Sequence, residues 1–359
     1  MLKKLIVTLV ILACTGFLYQ KIALYRDAKQ YPAPGKLVDI GGYKLHINEL
    51  GSGTPTVVFD AGTGSFSKMW YAIPEEVAQF AHVYSYDRAG LGWSDESPLV
   101  RTSSTMIKEL HTLLENVQAP KPYILVGHSL GGGHIQLYAD TYPDEVFGLV
   151  LVDGGSEKIL ELMHEQHLTF KRVIHGFTVV ADKHPELDGT TSLEKAFLWF
   201  ATSNFGNTFL TMTGLKRLYL KHYFTSSKTA PYPVSPDMLA CILKPSTFHE
   251  ESQEIAHYGQ SAQELARTDS QLSNKPLIVI SNGKGFFYNP LCNHYITPTE
   301  KLFDEQIWPS LQKDLAAKSA KGKLVIATQS GHRIQDTEPE LIVEAVKELV
   351  DDYRKTLAS

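Results

Sequence analysis

The stretch that decides the fold is Tyr123-Ile-Leu-Val-Gly-His-Ser-Leu-Gly-Gly132. A short apolar run, typical of a buried strand, leads into the pattern Gly127-x-Ser129-x-Gly131, and an amphipathic segment follows. A serine on a tight turn between a strand and a helix needs small residues two positions away on each side. Its hydroxyl then lies at the amino end of the helix, where the helix dipole favours an anionic intermediate. The pattern therefore predicts that Ser129 is a nucleophile.

A serine nucleophile needs a base, and the best candidate is His332 in Gln329-Ser-Gly-His-Arg333. This histidine lies in a turn directly after the last predicted strand. The chain order serine, acid, histidine places the base there. We expect His332 to take the proton of the Ser129 hydroxyl.

Two carboxylates compete for the role of the acid that orients His332. The segment after a strand predicted at 276–280 contains no carboxylate as far as Asn289. The preceding strand, by contrast, ends in Asp153, and Glu157 follows four residues later. We favour Asp153 as the acid and keep Glu157 as the alternative, although a carboxylate at a strand end is also a common cap.

Short apolar strands alternate with amphipathic helices along much of the chain. The strands are predicted at 36–40, 43–47, 56–59, 83–86, 123–126, 148–152, 276–280 and 323–328. Helices are predicted at 105–117 and 130–142, and a last helix opens with a capping box formed by Thr337 and Glu340. This alternation predicts an α/β fold with a mostly parallel sheet and helices on both faces.

One long insertion interrupts the alternation. Residues 157–270 show no clear strand and are rich in Leu, Phe, Tyr and His at helical spacing. A segment of this length is too long for a bare loop, so we interpret it as a helical lid. Residues 31–156 and 271–359 then form the two parts of one sheet domain, and residues 1–30 stand apart from it.

The N-terminal segment carries an uncharged apolar run from Leu5 to Gln20, preceded by two lysines. Its length lies between that of a signal-peptide core and that of a full membrane span. We favour an uncleaved single-pass anchor, with the catalytic domain outside the cytoplasm or exported. A cleaved signal, a lipoprotein modified at Cys14 and a buried N-terminal helix remain alternatives. Lysines on both sides of the run leave the orientation open.

Four motifs in order resemble the α/β-hydrolase fold superfamily. Upstream of the serine motif lies Phe59-Asp-Ala-Gly-Thr-Gly64, then Tyr86-Asp-Arg-Ala-Gly-Leu-Gly-Trp-Ser94, and Ser330-Gly-His332 lies near the end. More narrowly, the chain is similar to bacterial membrane-anchored or exported serine hydrolases of the prolyl-aminopeptidase and esterase kind. The similarity covers residues 36–349 and does not specify a substrate.

The resemblance also implies an oxyanion hole made of two backbone N–H groups. One belongs to Leu130, the residue after the nucleophile. The other comes from the loop after the strand at 56–59, where Gly62 matches the donor position. Asp60-Ala61-Gly62 here replaces the family's His-Gly-x sequence.

Composition narrows the function further. The net charge is −5, so no global basic field points to nucleic acid. No zinc spacing occurs among the three cysteines, and pairing of Cys241 with Cys292 stays open.

We expect a serine hydrolase without metal or cofactor, acting through an acyl-enzyme on an ester or amide of a small or apolar acyl group. An acyltransferase with the same residues and a non-catalytic binding protein are the alternatives. The expected partners are a small-molecule substrate and, through the N-terminus, a lipid bilayer.

Overall fold

The computed structural model describes residues 2–159, 162, 204–226, 234–267, 272, 274–286 and 301–358. These residues belong to two compact units. The sheet unit comprises Ala33–Leu168 and Glu250–Ser359, and the cap unit comprises Met1–Pro32 and Thr169–His249.

An eight-stranded sheet organises the sheet unit, with strand order β1-β2-β4-β3-β5-β6-β7-β8. The strand β2 pairs antiparallel with both β1 and β4, and all the other pairs are parallel. The sheet is therefore mostly parallel, as the alternation of strands and helices predicted. The strands are β1 Lys36–Asp39, β2 Lys44–Leu50, β3 Thr56–Asp60, β4 His82–Tyr86, β5 Tyr123–His128, β6 Val146–Val152, β7 Leu277–Asn282 and β8 Gly322–Ala327.

Helices cover both faces of this sheet. One apolar cluster joins Leu125 and Leu149 to residues of α3, α4 and α10, and the other joins Val126 and Val150 to residues of α2 and α11. Successive strand residues thus point to opposite cores, which explains why the central strands are apolar without alternation. The helices of the sheet unit are α2 Ile73–Val77, α3 Ser103–Asn116, α4 Leu130–Thr141, α9 Tyr258–Ala266, α10 Trp308–Ala317 and α11 Pro339–Ala358.

The described part of the cap unit is helical. Its helices are α1 Leu2–Gln30, α5 Asn204–Met212, α6 Leu215–Ser226 and α7 Pro236–Ile242, and α8 Pro245–Ala256 begins in it and ends in the sheet unit. The lid residues at 163–203 and 227–233 lie outside the described residues.

Helix α1 is longer than the uncharged run from which it was predicted. It continues to Gln30 because no proline occurs before Pro32. The segment Ile6–Gln30 is long and apolar enough to cross a membrane, and a signal sequence near the N-terminus has the same properties. The chain therefore carries one N-terminal helix with the composition of a membrane anchor or a signal sequence.

The predicted site residues all lie at one edge of the sheet, beyond the carboxyl ends of parallel strands. Ser129 follows β5, Asp153 follows β6, and the loop containing His332 follows β8. Gly62 lies in the loop after β3, so it comes to the same edge. Loops at the carboxyl ends of parallel strands are where α/β proteins place their binding sites.

Candidate active site

The nucleophile candidate sits on a strained turn between β5 and α4. Ser129 has φ 53° and ψ −119°, a left-handed backbone that non-glycine residues seldom adopt. A Cβ at Gly127 would lie 2.5 Å from the carbonyl oxygen of Gly131, and one at Gly131 would lie 2.4 Å from that of Asp60. Both positions therefore require glycine, and the predicted strand-turn-helix geometry around the serine is present.

A carboxylate lies directly against the predicted base. The Nδ1 atom of His332 is 2.7 Å from Oδ2 of Asp153, which is fully buried. Like Ser129, Asp153 has a left-handed backbone, with φ 46°. Glu157 lies elsewhere, with its Oε2 atom 2.7 Å from Nζ of Lys318. Of the two acids considered from the sequence, the structure brings Asp153, and not Glu157, to His332.

Three further hydrogen bonds fix the Asp153 carboxylate. The backbone N–H of Asn282 donates to Oδ1 over 3.0 Å, and its side-chain amide donates to Oδ2 over 2.7 Å. The indole Nε1 of Trp308 donates to Oδ1 over 2.8 Å. Asn282 ends β7, and the residues after it contain no carboxylate as far as Asn289. That strand therefore holds the acid in place instead of supplying it.

The turn that carries His332 is fastened at its base. The Ser330 hydroxyl lies 2.5 Å from Oγ1 of Thr337 and donates to Glu338 Oε2 over 2.6 Å. The expected capping box is absent, because α11 begins only at Pro339 and the Thr337 side chain is engaged with Ser330. These residues hold the His332 turn instead of capping the helix.

Buried His128 connects the nucleophile turn to the same loop. Its Nε2 atom lies 2.9 Å from the carbonyl oxygen of His332. Burial, together with the neighbouring His332, lowers the pKa of His128 well below its ordinary value, so the ring is neutral. A carbonyl can only accept, so Nε2 carries the proton. The rings of His128 and His332 are 4.7 Å apart.

The side chains of Ser129 and His332 are not joined by a hydrogen bond in the described part of the chain. Serine–histidine bonds of active sites often tighten only when substrate binds.

Two unused N–H groups flank Ser129. Gly62 and Leu130 are both buried, and neither backbone N–H has an acceptor among the described residues. Buried N–H groups without a partner are rare, and an oxyanion hole is one reason to keep them. A Cβ at Gly62 would lie 3.2 Å from Cβ of Ser129 and 2.8 Å from Nδ1 of His128, so the loop passes directly beside the serine.

A buried arginine holds the Gly62 loop from behind. Arg88 Nη1 donates to the Ala61 carbonyl over 2.7 Å and to Asp60 Oδ1 over 2.8 Å, and Nη2 donates to the Gly62 carbonyl over 2.6 Å. On its other side, Nε donates to Glu254 Oε1 over 2.7 Å. Glu254 also accepts from the Gly64 N–H over 2.9 Å, so one ion pair fixes both ends of the loop.

The charges of this cluster stabilise one another. Burial opposes ionisation of Asp60, but His134 and Arg88 beside it lower its pKa below the ordinary value. The pKa of Arg88 is raised because Glu254 and Asp60 outweigh its burial. In the sequence, Asp87 and Arg88 appear only as part of a motif, and no pattern predicts the contact with Glu254, which is 166 residues from Arg88. The aspartate that replaces the family's histidine at position 60 was the available clue.

Only one group of possible metal ligands occurs among the described residues, and its carboxylates form ion pairs with a lysine. Its members are His111, Glu115 and Glu145. Nζ of Lys121 lies 2.7 Å from a Glu115 oxygen and 2.8 Å from a Glu145 oxygen. This ammonium group supplies the positive charge that the two carboxylates need. The prediction that no metal is required stays a prediction, and Cys292 lies outside the described residues while Cys241 is buried in α7.

Comparison with known proteins identifies the family. The model of the alpha/beta hydrolase family matches residues 57–345, so the chain belongs to that family. The protein YqjL of Bacillus subtilis (strain 168) is 24% identical over 315 residues, which are 87% of this chain and 90% of YqjL.

Solved structures show the same fold. Wild-type Cfl2 from Burkholderia cenocepacia has a TM-score of 0.58 and 17% identity, covering 88% of this chain and 95% of that one. A thermophilic esterase from Thermogutta terrifontis has a TM-score of 0.51 and 17% identity, covering 86% of this chain and 94% of that one. At such identities the likeness concerns the fold, and the resemblance stated from the four sequence motifs is confirmed at that level. Family and fold together support a hydrolase.

Proposed function

We propose that the chain is a serine hydrolase that cleaves a carboxylic ester or amide bond of a small or apolar acyl substrate through an acyl-enzyme. The observation that carries the proposal is the contact of buried Asp153 with His332 at the sheet edge where Ser129 occupies its left-handed turn. An esterase among the solved structures of the same fold is consistent with this reaction.

Each group has a defined step. The Ser129 hydroxyl attacks the acyl carbon while His332 Nε2 takes its proton, and His332 Nδ1–H donates to Asp153, which stabilises the charged ring. The N–H groups of Gly62 and Leu130 bind the oxyanion of the tetrahedral intermediate. His332 then returns the proton to the leaving alcohol or amine. Water attacks the acyl-enzyme by the same route in reverse and releases the acid.

The segment after β7 has no carboxylate as far as Asn289, and this keeps a non-catalytic binding protein as an alternative. The Asp153 carboxylate, 2.7 Å from Nδ1 of His332, supports the catalytic protein. An acyltransferase would use the same residues and differ only in the acceptor of the acyl group. Adding alcohols or thiols to the reaction and analysing the products distinguishes the two activities.

We further propose that α1 is an uncleaved anchor in a lipid bilayer and that the sheet unit lies outside the cytoplasm. Its length and composition support this assignment. Basic residues flank the apolar run on both sides, Lys3 and Lys4 before it and Lys21, Arg26 and Lys29 after it, so flanking charge does not decide its orientation.

A fluorophosphonate probe tests the catalytic proposal directly. We expect the full-length chain to be labelled at Ser129 and the Ser129→Ala variant to be unlabelled. A folded wild-type chain that resists the probe, or an alanine variant that reacts equally, contradicts the proposal. A panel of p-nitrophenyl esters and peptide amides with acyl groups of increasing length then defines the substrate class.

A further inference from the structure

Helix α1 packs closely against other helices of the cap unit. A Cβ at Gly16 would lie 2.4 Å from the carbonyl oxygen of Thr213, and one at Gly214 would lie 2.8 Å from the Tyr19 ring. Glycine is therefore needed on both sides of this contact. The middle of α1 and the connection between α5 and α6 approach each other backbone to backbone.

A buried polar cluster fastens the second half of α1. Arg217 on α6 is 5% exposed, its Nε donates to Gln20 Oε1 over 2.7 Å, and its Nη1 pairs with Asp27. Gln20 is 2% exposed and donates to the carbonyl of Leu243 over 3.2 Å. A charged side chain buried in this way needs its counter-ion. The side of α1 that carries Gln20 and Asp27 is thus packed within the cap, while Ile22 and Tyr25 in the same stretch are 46% and 71% exposed.

The first half of α1 is mostly apolar and exposed. Its exposed apolar side chains include Ile6, Val7, Val10, Ile11 and Leu12. At about 1.5 Å per residue, the helix from Leu2 to Thr15, which precedes the Gly16 contact, is roughly 21 Å long, against about 30 Å for a bilayer's hydrocarbon core. A bilayer around these residues brings the Gly16 contact, and with it the start of α6, to the level of the bilayer surface.

Helix α6 carries a second exposed apolar face in the same unit. Leu215, Leu218 and Tyr219 are 50%, 52% and 67% exposed, and their spacing places them on one side of the helix. Arg217 points to the opposite, buried side, and helical spacing places Lys216 and Lys221 on the two flanks. An apolar face bordered by lysines is the pattern of a helix that lies in a membrane interface.

We propose that the Leu215/Leu218/Tyr219 face of α6 lies in the surface of the bilayer that holds the first half of α1. The apolar side chains enter the acyl boundary, while Lys216 lies over the Phe248 ring, with its Nζ 3.2 Å from the ring centroid. The cap is then held on the membrane at two points, and α1 is a permanent part of it. The proposal depends on α1 as an anchor and extends it to a second helix.

Photolabelling from lipid tests this arrangement. The full-length chain is placed in nanodiscs of phosphatidylcholine and phosphatidylglycerol with a small fraction of a phospholipid carrying a diazirine in its acyl chain. After irradiation, labelled peptides are mapped by mass spectrometry. We expect label in α1 and in residues 215–226.

The triple variant Leu215→Ser, Leu218→Ser, Tyr219→Ser should lose the label in residues 215–226 and keep it in α1. The double variant Leu99→Ser, Val100→Ser removes two equally exposed apolar side chains of the sheet unit and should leave the label in 215–226 unchanged. The far-ultraviolet circular dichroism spectrum and the melting temperature show that each variant is folded.

Label in α1 without label in 215–226, or an unchanged label in the triple variant, overturns the proposal and leaves the anchor standing. A chain unlabelled in both helices overturns the anchor as well. Neither result bears on the hydrolase activity, which the fluorophosphonate reaction measures independently.

Discussion

Asp153 is the residue on which the catalytic proposal depends most. Replacing it with Asn keeps the size of the side chain but presents an amide to His332, which favours the wrong tautomer of the ring. We expect Asp153→Asn to lower kcat by roughly 10³–10⁴-fold, with KM little changed. Ester hydrolysis under saturating substrate measures this loss.

Glu157 provides the matched control, because it is a neighbouring carboxylate bound to Lys318 and not to His332. Glu157→Gln should retain kcat within about twofold, the range of substitutions away from the reacting groups. If the two variants lose activity equally, Asp153 is not the acid.

Gly62, the proposed oxyanion donor in the loop after β3, gives a second prediction. The Cβ of an alanine would press on His128 and on Ser129, so the loop must move and its N–H leaves the oxyanion position. We expect Gly62→Ala to lower kcat by about 10²–10³-fold, the usual cost of one lost oxyanion donor.

Gly133 in α4 is the control glycine, since a Cβ there meets only a Leu265 methyl at 3.9 Å. Gly133→Ala should leave the turnover rate unchanged and raise the free energy of unfolding by about 0.5–1 kcal/mol, because alanine favours a helix. If Gly62→Ala and Gly133→Ala lowered kcat equally, the loss at Gly62 could not be attributed to a displaced oxyanion donor.

Among the elements, the loop after β3 depends on an arginine supplied by the loop after β4. A lysine at position 88 keeps the positive charge but cannot reach Asp60, two carbonyls and Glu254 together. We expect Arg88→Lys to lower kcat roughly 10²-fold, as for a displacement of about 1 Å at a reacting group, while KM stays nearly constant.

Arg101 is a suitable comparison, because it is equally buried and pairs with Glu109 and Glu250 without touching the Gly62 loop. Arg101→Lys should lower the melting temperature as much as Arg88→Lys but spare kcat. A shared loss of kcat would mean that any weakened ion pair near α8 disturbs the site.

Helix α8 also introduces a pH dependence through Glu250. Burial, with Glu254, Glu96 and Glu109 nearby and only Arg101 opposing, raises its pKa to about 7 from 4.5. The folded chain therefore binds this proton more tightly than the unfolded chain. The resulting stabilisation is complete below about pH 4.5 and is lost as the pH rises through about 7.

Glu250→Gln should remove this loss, so its stability relative to the wild-type chain should increase between about pH 5 and pH 8 by up to roughly 3 kcal/mol. Urea unfolding at both pH values measures the difference. Glu344, an exposed residue of α11, is the control position, and an identical trend for Glu344→Gln would refute the assignment to Glu250.

Local patterns predicted the elements well and the contacts between distant elements poorly. The strand β5, the turn at Ser129 and the helix α4 follow from one short stretch of residue types and glycine spacing. The contact of Arg88 with Glu254 does not, because it depends on how a helix 166 residues later returns to the sheet. The acid lay between these cases: both Asp153 and Glu157 follow β6, and only the left-handed backbone at Asp153 and the donors on β7 and α10 decide which one meets His332.

For the whole molecule, the N-terminal helix contributes more than attachment. Deleting residues 2–30 removes the partners of the buried Arg217, at a cost of about 3–5 kcal/mol to the cap. We expect limited proteolysis to cut this truncated chain within α5–α7 much faster than the full-length chain.

Deleting only residues 2–14 keeps Gly16, Gln20 and Asp27 and should leave the proteolysis pattern unchanged. Comparing the two truncations separates the loss of the apolar run from the loss of the cap contacts. Equal resistance of the two truncated chains would show that the Arg217 cluster does not stabilise the cap.

The position of the acid also bears on how this chain can diverge. With its carboxylate at the end of β6, the acid is held by Asn282 and is not supplied by the segment after β7. The residues that follow Asn282 support the base instead, because the N–H groups of Gly283 and Lys284 donate to the Ser330 carbonyl and the Phe286 ring lies 4.0 Å from the His332 ring. A change of length or chemistry at residues 283–286 is therefore expected to displace His332, so that substrate preference and turnover rate change together there.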